Sequence, residues 1–118
     1  MRNLLTHLKD RTRWSWQGLV ATWREEYSFR AWVWANLVSA ALAVCLPLGE
    51  GLRALILIFG LLVLVAELFN TAIERAVDHT STDHNKLAGQ AKDAASAAVA
   101  LTALAAGLAW VIGLLSLF

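Results

Sequence analysis

The chain has 118 residues, of which 58% are hydrophobic, against roughly 45–50% apolar usage in soluble domains; this composition argues against a water-soluble fold and for a bilayer. Ten Lys and Arg against nine Asp and Glu leave a net charge of +1, too little surplus for general attraction to nucleic acid. The single cysteine, Cys45, excludes an internal disulfide and reads as buried apolar filler.

Residues 1–28 are too polar to span a membrane, yet Leu4, Leu5 and Leu8 recur at helical spacing, and Trp16, Leu19, Val20 and Trp23 follow i, i+3, i+4, i+7. This spacing predicts an amphipathic helix on the membrane surface, with Trp rings at headgroup depth and basic side chains toward anionic lipid. From Ala31 to Gly49, 19 residues carry no charge, close to the roughly 20 needed to cross about 30 Å of hydrocarbon. Pro47, Gly49, Glu50 and Gly51 then mark a tight connection between antiparallel helices. A second run, Ala54 to Ile73, is interrupted by Glu67, and a third, Ala94 to Phe118, is uncharged throughout. The expected architecture is a single all-α membrane domain over 1–118, with a surface helix over 1–28 and transmembrane helices over 31–49, 54–73 and 94–118. The basic stretch before the first run and Ala41-Leu42-Ala43 imitate a signal peptide, and Leu42 to Cys45 imitates a lipoprotein box with an unsuitably bulky Val44. The two spans that follow favour a membrane helix instead.

Six of the basic residues precede the first span and three (Arg75, Lys86, Lys92) lie between the second and third, leaving Arg53 alone on the opposite side. Short basic segments stay in the cytoplasm, so the N-terminus and the second loop are expected there and the C-terminus across the membrane. The acidic residues, Glu50 excepted, fall on or facing that same side. An active site there has access to ATP.

The segment Ala66 to Asp78, AELFNTAIERAVD, carries the chemistry. At 100° per residue, Glu67, Asn70, Thr71, Glu74 and Asp78 form one polar stripe, while Leu68, Phe69, Ile73 and Val77 fill the remaining circumference. A carboxylate at the depth of Glu67 costs roughly 2.5–3.5 kcal/mol on insertion scales unless it faces protein, water or a partner. Pairing with Asn70 or a neighbouring helix is one explanation for it. Three carboxylates on one face repel each other, however, and a bound cation relieves that repulsion; Mg²⁺ with substrate phosphates takes one or two carboxylates, and Glu74 is placed for this. The polar loop His79 to Asp93 suits either a plain connection or nucleotide contact, with Lys92 and Asp93 where a cation can approach phosphate oxygens. Ser96, Ala100, Ala103 and Gly107 form a small-residue stripe expected to pack helices closely.

Other signals are absent or accidental. There is no G-x-x-x-x-G-K-[ST] to cradle phosphates, and Gly49-Glu50-Gly51-Leu52-Arg53-Ala54 matches a dinucleotide fingerprint by letter while joining two membrane runs. His7, His79 and His84 lack zinc spacing. A small proton-coupled exporter would use Glu67, but has little use for Glu26, Glu74, Lys92 and Asp93 together. A non-catalytic assembly subunit would need none of them to move phosphate.

The run AELFNTAIERAVD, the later AKDAASAAV from Ala91, and Ser15-Trp16-Gln17-Gly18 with Phe29-Arg30 resemble the signature of the prokaryotic integral-membrane diacylglycerol kinases, over about Leu8 to Trp110. The resemblance implies a homotrimer in the bacterial inner membrane, with composite sites shared between subunits, that phosphorylates diacylglycerol from ATP with Mg²⁺. A related branch acts on undecaprenol with the same core. By resemblance Glu67 is the catalytic base, Asn70 supports it, and Glu26 and Glu74 bind the metal. ATP contacts would fall to His7, Trp14, Glu26, Glu74, Asp78, Asp83, His84, Asn85, Lys92 and Asp93. Lipid contacts would fall, besides His7 and Glu67, to Arg11, Thr12, Arg13, Trp14, Ser15 and Trp16, to Val20, Ala21, Thr22 and Trp23, and to Ser28, Phe29, Arg30, Ala31 and Trp32. Further along they would include Cys45, Leu46, Pro47, Leu48, Arg53, Ser96 and Trp110. The chain departs from the family's usual residues at His7, Trp14, Ala31 and Asn85.

Overall fold

The computed structural model describes residues 3–80 and 85–118, and every regular element among them is an α-helix. Four helices follow in order, α1 (Leu4–Glu25), α2 (Tyr27–Cys45), α3 (Glu50–Thr80) and α4 (Lys86–Leu115). By length and composition α2, α3 and α4 can each cross a membrane. The expected plan, an N-terminal helix ahead of three apolar ones, is therefore the one adopted.

Helix α1 begins at Asn3, whose Oδ1 accepts from the Thr6 backbone N–H at 2.9 Å and the Thr6 hydroxyl at 2.8 Å, partnering a donor that the first turn leaves open. It ends at Glu26, where the backbone turns extended for one residue before α2 starts. Arg30 spans this break, donating from Nη1 to the carbonyls of Trp23 (2.5 Å) and Arg24 (3.1 Å). Those carbonyls are the acceptors an ending helix cannot satisfy itself, and a cation there also meets the negative end of the helix dipole.

The other end of α2 is tied in the same manner. Pro47 follows the last helical residue by two positions, and Arg53 in the first turn of α3 donates from Nε to Ala43 O (2.8 Å) and from Nη2 to Leu46 O (3.1 Å). By resemblance Arg53 is a lipid contact; its guanidinium here closes the α2–α3 connection. Helix α2 starts at Tyr27, ahead of the uncharged run at Ala31, because α1 breaks off at Glu26. Helix α3 has 31 residues, about 46 Å at 1.5 Å per residue, so its last turns carry Glu74, Arg75 and Asp78 beyond the roughly 30 Å that the hydrocarbon requires.

Helix α3 is central, with α4 packed along it and α2 on another side. A cluster of Ala43, Leu48, Ile56 and Ala109 joins the three at one end. Since Leu gains little by exchanging lipid tails for protein, close approach of small residues decides such packing. At Gly60 a Cβ would overlap the side-chain oxygen of Asn36, whose Nδ2 donates to Trp32 O at 3.1 Å; at Gly113 it would touch Ile56 and Leu48 at 3.4 Å. Trp110 Nε1 donates to Ser39 Oγ at 2.8 Å, fastening α4 to α2.

One expectation is corrected here. The stripe Ser96, Ala100, Ala103 and Gly107 does not face α3, and a Cβ at Gly107 would meet open space. The buried line of α4 is Ala95, Val99, Ala109 and Gly113 instead, rotated by about one residue and also made mostly of small side chains.

Candidate active site at the polar end of α3

Glu67 is 4% exposed, as is Thr71 one turn later. Its Oε1 accepts a hydrogen bond of 2.5 Å from Ser28 Oγ, on the first turn of α2. The other oxygen, Oε2, accepts none from the described residues. A buried carboxylate with one oxygen held and the other open is equipped to take a proton from a hydroxyl brought against it.

The next turn of the stripe is organised differently. Asn70 Nδ2 donates to Glu74 Oε1 at 3.3 Å, so the amide's hydrogen bond goes to Glu74 and not to Glu67. Asn70 Oδ1 is buried with no partner among the described residues, an acceptor that normally finds a donor. Arg75 draws the end of α1 against α3, meeting Glu25 Oε2 at 2.8 Å and Glu26 Oε1 at 3.4 Å. Because Glu25 makes the shorter pair, Glu26 can turn to another cation without stranding Arg75. Among the described residues no group of three His, Cys, Asp or Glu side chains is poised to hold a metal alone. An ion that takes one or two carboxylates and fills its remaining positions with phosphate and water needs no such group of three.

Lys92, on the polar turns of α4 ahead of its apolar segment, meets Asp78 Oδ1 at 2.5 Å. This pair links the emerging end of α3 to the start of α4. Asn85 caps α4, its Oδ1 accepting from the backbone N–H of Leu87 (2.8 Å) and Ala88 (3.3 Å). Asp93 is exposed on the same turns. Asp83 and His84 lie outside the described residues. Between α1 and α3 runs a groove of about 480 Å³ lined by Ser15, Gly18, Thr22, Leu68, Thr71 and Arg75, among others.

Glu25, Glu26, Ser28, Glu67, Asn70, Glu74, Arg75, Asp78 and Lys92 are thus gathered at one end of the helices. Other expected site residues stand apart. His7 and Trp14 lie nineteen and twelve positions before Glu26, about 29 and 18 Å along the rise of α1. Arg11, Thr12, Arg13 and Trp16 are on exposed turns of α1, with Thr12 Oγ1 spent on Leu8 O at 2.8 Å. Cys45, Leu46, Pro47, Leu48 and Arg53 are at the far end of α2 and α3, and Trp110 is held at the level of Ser39. Val20 and Ala21 are half-buried and Phe29 buried, near the α1–α2 break, while Ala31 and Ser96 are exposed. Arg75 was not among the expected site residues, although it is the one basic side chain in the acidic stretch Glu67 to Asp78.

These features define an integral membrane protein with a cluster of acidic and basic side chains where its longest helix leaves its apolar stretch. The sequence model of the prokaryotic diacylglycerol kinases matches residues 13–114. The diacylglycerol kinase of Escherichia coli strain K12 is 38% identical over 104 residues, covering 88% of this chain and 85% of the relative. That of Pseudomonas aeruginosa is 40% identical over 102 residues (85% and 83%), and that of Haemophilus influenzae 36% over 108 (90% and 90%). The chain belongs to the prokaryotic diacylglycerol kinase family.

Proposed function

We propose that the chain transfers the γ-phosphate of ATP to the free hydroxyl of diacylglycerol, giving phosphatidic acid and ADP. The observation that carries this reading is Glu67, a carboxylate 4% exposed inside an apolar helix with Oε2 unengaged. The lipid hydroxyl donates to Oε2 and gives up its proton there as its oxygen bonds to the γ-phosphorus; the bond from that phosphorus to the bridging oxygen breaks, and ADP leaves with the electron pair. Lys92, released from the exposed pair with Asp78, turns its ammonium toward the phosphate oxygens. Phosphoryl transfer is largely positioning and charge neutralisation, so few groups are required. Glu26 and Glu74 would hold Mg²⁺ together with the nucleotide, which when bound offsets charge on the phosphate oxygens. Asn70 orients Glu74 for that task.

The working unit in this reading is a homotrimer in the bacterial inner membrane, with ATP arriving from the cytoplasmic side. Supporting it are His7 and Trp14, which one chain leaves far from Glu26, and the unpartnered Asn70 Oδ1. Lipid contacts at Cys45 to Leu48, Arg53 and Trp110 would be with acyl chains rather than the reacting headgroup, given their distance from Glu67. Purified protein with [γ-³²P]ATP should label diacylglycerol faster than undecaprenol when both are compared in one micelle system. Preference for undecaprenol would reassign the acceptor, and no transfer to either would remove the kinase reading.

A further inference from the structure

We infer that Ser28 is a positioning residue for the general base, acting on the reaction through Glu67. This rests on the phosphotransfer reading and adds a residue to it. The single hydrogen bond made to the Glu67 carboxylate by the described residues comes from Ser28 Oγ, thirty-nine positions earlier in the chain. At 2.5 Å it lies at the short end of the range for a hydroxyl bonded to a carboxylate. The terminal torsion of a glutamate side chain is broad and roughly two-fold, and a carboxylate 4% exposed has little water to orient it. Ser28 supplies the missing constraint. Its one proton fixes Oε1, which sets the carboxylate plane and leaves Oε2 as the oxygen that meets the substrate.

The bond also ties the base to the α1–α2 break. Ser28 follows Glu26 by two residues, so the turn that presents one carboxylate for a cation also fixes the carboxylate that takes the proton. Ser28 is otherwise exposed, and truncating it opens no core. The two roles open to it separate kinetically. A residue that orients a base alters kcat, whereas one that grips the lipid alters the KM for lipid.

The test is steady-state kinetics of the purified full chain with [γ-³²P]ATP and diacylglycerol in mixed micelles, using S28A, S28T, E67D and S28A/E67D. S28A is expected to lower kcat about tenfold with both KM values within about twofold, and S28T, which keeps the hydroxyl, to restore kcat to within about threefold. In E67D the carboxylate is one methylene short of Ser28, so adding S28A should cost less than about twofold more. The inference is overturned by an unchanged kcat in S28A, by a loss confined to the KM for diacylglycerol, by failure of S28T to restore kcat, or by the same tenfold loss in the E67D background. E67Q separates the two levels. An active E67Q removes Glu67 as the base and with it the premise for Ser28, no transfer by the parent chain removes the phosphotransfer reading, and an inactive E67Q beside a fully active S28A sinks only the role given to Ser28.

Discussion

Glu67 and Glu74 are two turns apart on one helix and are held by different partners, a hydroxyl from α2 and an amide from the same stripe. Different roles follow. Glu74→Ala is expected to raise the Mg²⁺ concentration for half-maximal rate by about tenfold or more, as loss of a ligand or its support commonly does; a Mg²⁺ titration at saturating ATP checks this, and an unchanged requirement removes Glu74 from the metal site. Lys92→Ala breaks an exposed ion pair, and such pairs add little to stability. The thermal midpoint should hold while kcat/KM for ATP falls; a variant that unfolds early with normal kinetics would make the pair structural. The stripe was legible in the sequence because a carboxylate in an apolar run is costly and the 3.6-residue period places its companions. Its partners were not. Which of several hydroxyls reaches Glu67, or that Arg75 joins α1 to α3, depends on contacts between distant helices that no local period encodes.

At the scale of elements, α2 is tied at both ends by arginine, Arg30 reaching back to α1 and Arg53 reaching across from α3. The end of α2 was readable because Pro47 punctuates the chain, whereas α4 starts at Lys86 behind the Asn85 cap, inside the stretch His79 to Asp93 that its polar composition marked as a loop. The one-residue break at Glu26 carries no such signal, which is why α2 starts earlier than its uncharged run. The packing face of α4 was misread for a related reason, since small size marks where helices can approach and does not say which of two adjacent stripes does. Gly60 is a place where approach is tight. Gly60→Val should push Asn36 aside and destabilise the α2–α3 pair by about 1–3 kcal/mol, read from unfolding in detergent micelles. The same change at Gly107, which faces open space, should cost much less, and equal costs would contradict the packing described.

For the whole molecule, few side chains are buried and many large apolar ones lie exposed along all three apolar helices, as suits a chain solvated by lipid. Cys45 is exposed near the end of α2 and not buried as its apolar run suggests, and the proposed sidedness places it away from ATP. A membrane-impermeant maleimide should label it in right-side-out vesicles and spare it in inside-out ones; the reverse pattern would invert the topology. The central claim is that a buried carboxylate on α3 takes the proton of the lipid hydroxyl, and the rate of Glu67→Gln measures it most directly. The variant should assemble and melt like the parent while its kcat falls by about 10²–10⁴-fold, the usual contribution of a general base. A Glu67→Gln protein that still phosphorylates diacylglycerol at most of the parent rate would contradict the account.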